Sequence, residues 1–284
     1  MYKLDDVSIV ITSLGGEDLK ILLKNLYSQL DIYSDYEIIL TIPKDINIKY
    51  SLNNFKKLKV IKTYFYGQVN QRIIGFKNVT KKYVLQIDDD VEISPKEILN
   101  LKKKLILLGN NTSISPLFFD RNNKNKCIYN LTNSNLNLFL KNIITFLICK
   151  SKWGLKRSGT LTILGTNYGV DNRIFKNDNL IEVDWLPGGC IMHLNQNLHK
   201  HDYFPFRGKA YCEDLIHSSI LKNKNIRLYV CNDSICYTDV PFFPKILDEK
   251  IKFLRAYNFY YFKFNKLTFR YLFWLIINVL RLIK

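Results

Sequence analysis

The chain has 284 residues, 47% of them hydrophobic, which supplies a sizeable core and excludes a globally disordered polypeptide. Lysine and arginine number 42 against 25 aspartates and glutamates, and the net charge of +17 calls for an anionic partner: nucleic acid, an acidic lipid surface or a phosphorylated small molecule. The cations are scattered, mildly concentrated after residue 245, and form no compact block of the kind that makes a nucleic-acid-binding arm.

Val7 to Thr12 is a short apolar, β-branched run and predicts a buried first strand. Asp18 can open the next helix, with Leu19, Leu22, Leu23, Leu26 and Leu30 at helical spacing. Tyr36 to Ile42, closed by Pro43, predicts a second strand, and Leu58 to Ile61 a third. Gln68 to Asn78 reads as a helix and Tyr83 to Ile87 as the fourth strand. This alternation argues for a parallel α/β sheet, whose ligands sit beyond the carboxyl ends of the strands. Thr12, Ser13 and Asp88 to Asp90 fall there. Pro95-Lys96-Glu97 starts another helix, and residues 109 to 135, rich in Asn, Lys and Ser, read as a loop or insertion. Leu136 to Cys149 is apolar but too short to span a bilayer. Val183 to Met192 reads as strand around a Pro-Gly-Gly turn, and Tyr211 to Leu215 opens a helix running to about Lys222. Ile226 to Val230 and Ser234 to Tyr237 predict two short strands, and the chain from Lys245 is helical, aromatic and basic. None of the six cysteines forms a C-x-x-C pair, so a zinc site is unsupported. Asp5 and Asp6 interrupt the start and no long apolar run follows, so no secretory signal is expected and the thiols read as reduced and cytosolic.

The fourth strand runs directly into Asp88-Asp89-Asp90. Strand alternation would point Asp88 and Asp90 one way and Asp89 the other, towards solvent. Two carboxylates at the end of a buried strand make a hard-oxygen site for Mg²⁺ or Mn²⁺; the alternative is a solvated acidic turn that merely caps the strand. Four signals then stand in order: Ile11-Thr12-Ser13; the helix-opening Gly67-Gln68-Val69-Asn70-Gln71-Arg72-Ile73-Ile74-Gly75; Asp88-Asp89-Asp90; and Trp185-Leu186-Pro187-Gly188-Gly189 ahead of Glu213-Asp214.

This order resembles the family-2 glycosyltransferases over most of residues 5 to 240. The resemblance implies an α/β chain of GT-A fold, a Rossmann-like sheet with flanking helices and a C-terminal helical appendage. It implies inverting transfer of a sugar, hexosyl-like, from a nucleotide diphospho-sugar to a glycan or lipid-linked acceptor hydroxyl. A metal neutralises the departing diphosphate and a base takes the acceptor proton. It divides the chain into a glycosyltransferase domain at 1–244, with a nucleotide-binding half to about 108 and an acceptor half from 109, and a basic aromatic segment at 245–284. The implied roles are these. Thr12, Ser13, Arg72, Asp88 and Asp89 hold the donor nucleotide, Arg72 either by contact or by holding the aspartate loop. Asp88 and Asp90 serve the Mg²⁺ or Mn²⁺ ion. Asp214 is the base. Trp185, Gly188, Gly189 and Glu213 lie by the sugar or acceptor. The alternatives for these residues are a core tryptophan beside a tight turn, an exposed helical arginine and an acidic pair that only serves a helix dipole. Two departures stand out. An acidic base-reading residue is replaced by Leu40-Thr41-Ile42-Pro43, and a late histidine ligand by Cys236-Tyr237-Thr238-Asp239, where Asp239 could substitute. His193, His199, His201 and His217 lack metal spacing, and His199 and His201 read as surface residues.

The abundance of Ile, Lys and Asn suits a bacterial source and, with the resemblance, surface-polysaccharide synthesis. The uncharged run between Arg270 and Arg281 is well below the roughly 20 residues of a spanning helix. Its aromatic content and cationic flanks suit a helix lying on an anionic membrane, on the inner face of the cell membrane; the alternative is a helix buried against the domain or in a dimer. Two other functions compete: a basic nucleic-acid-binding protein, which no visible module supports, and a sugar nucleotidyltransferase, for which Gly15-Gly16-Glu17-Asp18 is a poor phosphate loop. The partner reading is therefore a nucleotide-sugar, an acceptor and a membrane surface, without nucleic acid.

Overall fold

The computed structural model describes residues 1–284 except 32, 49, 65, 131–145, 148, 176–178, 207, 241–245, 266, 267, 270, 273 and 277–284. In chain order the elements are β1 (Val7–Thr12), α1 (Glu17–Gln29), β2 (Tyr36–Pro43), β3 (Leu58–Thr63), α2 (Gln68–Lys77), β4 (Tyr83–Asp88), α3 (Pro95–Leu108), β5 (Thr112–Asp120), β6 (Leu180–Val183), β7 (Cys190–Leu194), α4 (Glu213–Asn223), β8 (Arg227–Thr238) and α5 (Leu247–Phe264). The strands form one sheet in the order β3-β2-β1-β4-β7-β5-β8-β6.

The first four strands are parallel, as their unbroken apolar runs require of a sheet covered on both faces. Ile9 and Ile11 of β1 join Leu19, Leu22, Leu23 and Leu26 of α1 on one face. Val10, between them, points to the other face and packs with Phe76 of α2. That helix crosses the sheet closely: a Cβ on Gly75 would lie 2.4 Å from Val10 Cγ1, so only glycine fits. Register places Thr12 opposite both Thr41 and Asp88, bringing the ends of three strands to one edge. Helix α3 starts on Ser94, whose hydroxyl accepts from the Glu97 amide, with Pro95 in the first turn.

The second half departs from a purely parallel sheet. β7 runs antiparallel between β4 and β5, and β6 closes the far edge antiparallel to β8. The stretch expected as a loop, 109 to 135, contains β5. Its serines and Pro116 hide a strand that is buried along almost its whole length. Pro116 is tolerated because the pairing with β8 shifts register between Pro116 and Leu117, where a ladder N–H is dispensable. The same irregularity joins the two short strands expected near 226–237 into one β8. Helix α5 packs onto α4, placing Ala256 and Tyr260 in a cluster with Trp185, Leu215 and Ile216. The proposed boundary between residues 244 and 245, and most of Leu136 to Cys149, lie outside the described residues. Among the described residues no helix is long and apolar enough to cross a membrane.

Candidate active site

The strand edge at Thr12 and Asp88 opens into two adjoining cavities. One, of about 390 Å³, is lined by Thr12, Ser13, Tyr66, Gln71 and Asp88 to Asp90. The other, of about 670 Å³, reaches from Asp88 and Asp90 across Gly188 and Gly189 to Glu213, Asp214 and Asp239. The lining of both includes Gln68 and Lys209.

Asp88 is held on both oxygens. Thr12 Oγ1 donates to Oδ1 at 3.1 Å, Arg72 at 3.0 Å to the same atom, and Gln68 Nε2 to Oδ2 at 2.8 Å. Arg72 is 1% exposed and its other terminal nitrogen donates to Glu213 Oε1 at 2.8 Å. One guanidinium thus ties the end of β4 to the start of α4. Burial alone would lower the Arg72 pKa, but Glu213 and Asp88 outweigh it and hold the group cationic. Tyr203 completes the set, its hydroxyl donating to Glu213 Oε2 at 3.1 Å. Of the two roles expected of Arg72, its geometry fits the second: it positions the aspartate edge from behind, and its burial leaves no surface for a nucleotide.

Strand alternation does not continue past Asp88, because Asp89 and Asp90 lie in a turn. All three carboxylates therefore line one cavity, and the expected outward-facing Asp89 is corrected. Ser13 Oγ donates to Asp89 Oδ2, and the Gly15 amide donates to Ser13 Oγ at 2.7 Å. Asp90 is exposed at the cavity mouth, and its carboxylate makes no ion pair among the described residues. Partial desolvation of the carboxylate by the surrounding cleft, then the charges of Asp88 and Asp89, push its pKa up to about 6. That concentration of negative charge and the all-oxygen donor set fit a divalent cation. Asp90 is the less committed carboxylate; Asp88 Oδ1 already accepts from Thr12 and Arg72, while its Oδ2 accepts only from Gln68 and keeps a lone pair that an ion can use. Asp239 lines the same cleft and accepts from Asn122 Nδ2 at 3.4 Å. Among the described residues no three His, Cys, Asp or Glu side chains stand close enough to form a ready-made metal cage. A metal here would complete its shell with water or donor phosphates.

Asp214 lines the larger cavity from the first turn of α4. Cys212, immediately before that helix, is left-handed at φ +56°, an uncommon conformation for a side chain of its kind, and the turn it makes presents Glu213 and Asp214 together. Burial, then the neighbouring Glu213, raises the Asp214 pKa to about 7. Gly188 makes room for this corner: a Cβ there would sit 2.2 Å from Glu213 Oε1. Gly189 O accepts from the Asp88 amide at 3.0 Å, so the Pro-Gly-Gly turn is also bonded to the aspartate edge.

Trp185 is elsewhere. It is 2% exposed, its indole N–H donates to Tyr168 O at 2.9 Å, and its ring packs edge-on against Tyr129. The expected sugar contact is corrected to a core role, because burial behind Tyr129 keeps the ring out of both cavities. His193 and His217 are buried behind Arg72, with ring centroids 5.5 Å apart. Burial lowers the pKa of His193 to about 3, and that of His217 also falls well below its ordinary value. His201 is exposed as expected, but His199 is only partly so. Sequence reasoning missed Gln68, Gln71, Tyr203 and Lys209. Gln68 and Gln71 sat inside the helix-opening element already quoted. Tyr203 and Lys209 carried no local signal.

No protein-family model matches the chain, and no curated protein matches it in sequence. Solved structures do match. GalNAc-T7 with UDP, GalNAc and Mn²⁺ aligns over 83% of this chain and 43% of its own, at 13% identity and a TM-score of 0.56. S. aureus TarS 1–349 in complex with UDP-GlcNAc aligns over 89% and 64%, at 15% identity and 0.55. The mannosyltransferase PcManGT from Pyrobaculum calidifontis, with GDP-Man and Mn²⁺, aligns over 92% and 64%, at 12% identity and 0.52. The chain spans less than two thirds of the length of each of these structures. Its mixed eight-stranded sheet, with carboxylates at the end of β4, is the GT-A glycosyltransferase fold.

Proposed function

We propose that the protein is a metal-dependent, inverting glycosyltransferase that moves a sugar from a nucleotide diphospho-sugar to a hydroxyl of a glycan or lipid-linked acceptor, in bacterial surface-polysaccharide synthesis. The observation that carries this reading is the pair of adjoining cavities, with Asp88 and Asp90 lining both and Asp214 on the wall of the larger one. The smaller cavity suits a nucleoside: Thr12, Ser13 and Asp89 offer polar contacts and Tyr66 an aromatic face. A bound Mg²⁺ or Mn²⁺ at Asp90 would supply positive charge to the diphosphate. Solved structures of the same fold hold UDP or GDP-Man with Mn²⁺, which supports both donor and ion.

On the acceptor side, Asp214 is placed to take the proton from the attacking hydroxyl. The acceptor oxygen bonds to the anomeric carbon while the bond from that carbon to the phosphate oxygen breaks, and the electron pair leaves with the diphosphate. One displacement inverts the configuration. A base with a pKa of about 7 is matched to this task, because it is substantially ionised at neutral pH yet still basic. Arg72 and Tyr203 act on neither substrate; they fix Asp88 and Glu213 so that the two walls keep their spacing.

The C-terminal segment supports docking to an anionic membrane. Tyr271 is buried, stacked on Tyr261 with centroids 3.7 Å apart, and Trp274 stacks on Tyr257 at 4.4 Å. Phe269, Leu272 and Ile276, spaced for the opposite helical face, are 85%, 45% and 56% exposed. Tyr271 and Trp274 therefore serve the protein side, as the buried-helix alternative required, and the outer apolar residues are those free to enter a bilayer interface. Arg270, Phe273, Arg281 and Lys284 lie outside the described residues.

The test of the function is a panel of nucleotide diphospho-sugars with Mn²⁺, read as nucleoside diphosphate released, with the anomeric configuration of the product determined by NMR. Release from one or two sugar-nucleotides, abolished by chelator, is expected. Absence of release and of binding across the panel, or a product of retained configuration, contradicts the proposal.

A further inference from the structure

We infer that Lys209, which lines both cavities, binds the diphosphate of the donor. The inference rests on the glycosyltransferase reading and adds a residue to it. Among the described residues lining the two cavities, six are carboxylates: Asp88, Asp89, Asp90, Glu213, Asp214 and Asp239. Lys209 is the one lysine or arginine among them, and it lines both cavities. Arg72 is buried and committed to Asp88 and Glu213.

Arg72 already pairs with Asp88 and Glu213, and a diphosphate adds further negative charge beside the remaining carboxylates. Its charges face several carboxylates, and a metal at Asp90 offsets only part of that repulsion. Lys209 stands where the cavities meet, which is where a nucleoside in the smaller one and a sugar in the larger one would place the phosphates between them. Its backbone is anchored there. Gly208 pairs with Gly67 in an isolated parallel bridge, and at φ +85° it adopts a conformation that favours glycine. The side chain itself is exposed, with its ammonium 5.3 Å from the centroid of the Tyr211 ring and in no salt bridge among the described residues. A strongly hydrated point charge on a flexible stem suits a phosphate that gains charge during the reaction. As the bond between the anomeric carbon and the phosphate oxygen breaks, its electron pair stays on that oxygen, and the ammonium meets the added charge.

Calorimetric titration of the full chain with UDP, GDP, CDP and ADP, each with Mn²⁺, and with the matching monophosphates, tests this. The wild type binds at least one diphosphate. Lys209→Met loses about tenfold or more of that affinity, the scale of one charge-assisted hydrogen bond, while the monophosphate changes less than threefold. Lys209→Arg keeps most of the affinity, and all three proteins melt together because the side chain is exposed. Undiminished diphosphate binding by Lys209→Met, or an equal loss for mono- and diphosphate, overturns the assignment while leaving the donor reading in place. Failure of the wild type to bind any of the four diphosphates overturns the donor reading and the inference together.

Discussion

Replacing Arg72 with methionine is the most demanding test of how this site is held. The side chain is 1% exposed and donates at 3.0 Å to Asp88 and at 2.8 Å to Glu213, whose own side chains are 16% and 6% exposed. Methionine fills similar space without charge, so the loss is electrostatic rather than a cavity. Removing one partner of a buried ion pair costs about 3–5 kcal/mol, because the other charge stays buried without compensation. Here two carboxylates are left, so the upper part of that range is expected, against a total stability of about 5–15 kcal/mol. At roughly 2–4 °C per kcal/mol for a large domain, the melting temperature should fall by about 10 °C or more. Urea unfolding followed by tryptophan fluorescence gives the free energy, and Arg72→Met combined with Glu213→Gln supplies the control. Neutralising one stranded carboxylate should recover at least about 1 kcal/mol relative to the single variant. Arg72→Lys should recover only part of the loss, since an ammonium keeps the charge but cannot span both carboxylates with two separate nitrogens as the guanidinium does. A single-variant loss below about 1 kcal/mol, or a double variant less stable than the sum of its parts, would refute the view that this guanidinium carries both charges.

Asp214→Asn should keep donor binding and cut transfer by ~10²-fold or more, the scale of a lost proton-transfer group, and wild-type kcat/KM should rise with pH through about 7 as the base ionises. Its folded pKa lies above the ordinary value of 3.8, so its contribution to stability is present at low pH and is lost as pH rises to about 7. Asp214→Asn should therefore be more stable than wild type at pH 8 but not at pH 4; melting curves at both pH values decide it. Asp90→Asn should abolish Mn²⁺-dependent binding of a nucleoside diphosphate while leaving the melting temperature close to wild type, and full binding in excess chelator would remove the metal assignment. Phe269→Glu with Leu272→Glu should release the protein from vesicles containing phosphatidylserine without unfolding it, because both positions are exposed. Equal co-sedimentation of wild type and variant, in low and in physiological salt, would favour a protein-docked helix without membrane contact.

The first four strands and the helices between them were legible because their signals are local. An apolar run that ends in three aspartates declares both a buried strand and the edge at which it stops, and Leu19, Leu22, Leu23 and Leu26 declare the face of α1. β5 was not legible. Pro116 and the serines around it look like loop residues, and only the register shift against β8 makes room for the missing N–H. The direction of Asp89 was misread for a related reason: alternation holds only while the strand continues, and a turn follows Asp88.

The sequence by itself determined the order of the chemical groups, the strand and helix alternation that carries them and the excess of positive charge. Tertiary structure decided which of those groups meet. Arg72 and Glu213 are separated by 141 positions, Arg72 and Asp88 by 16, and nothing in their local sequence ties the three together. The physical reason is that periodicity records only which face of an element is buried. A buried guanidinium is stable solely where folding brings carboxylates to it, and a tryptophan such as Trp185 becomes core or cleft wall according to what packs across from it.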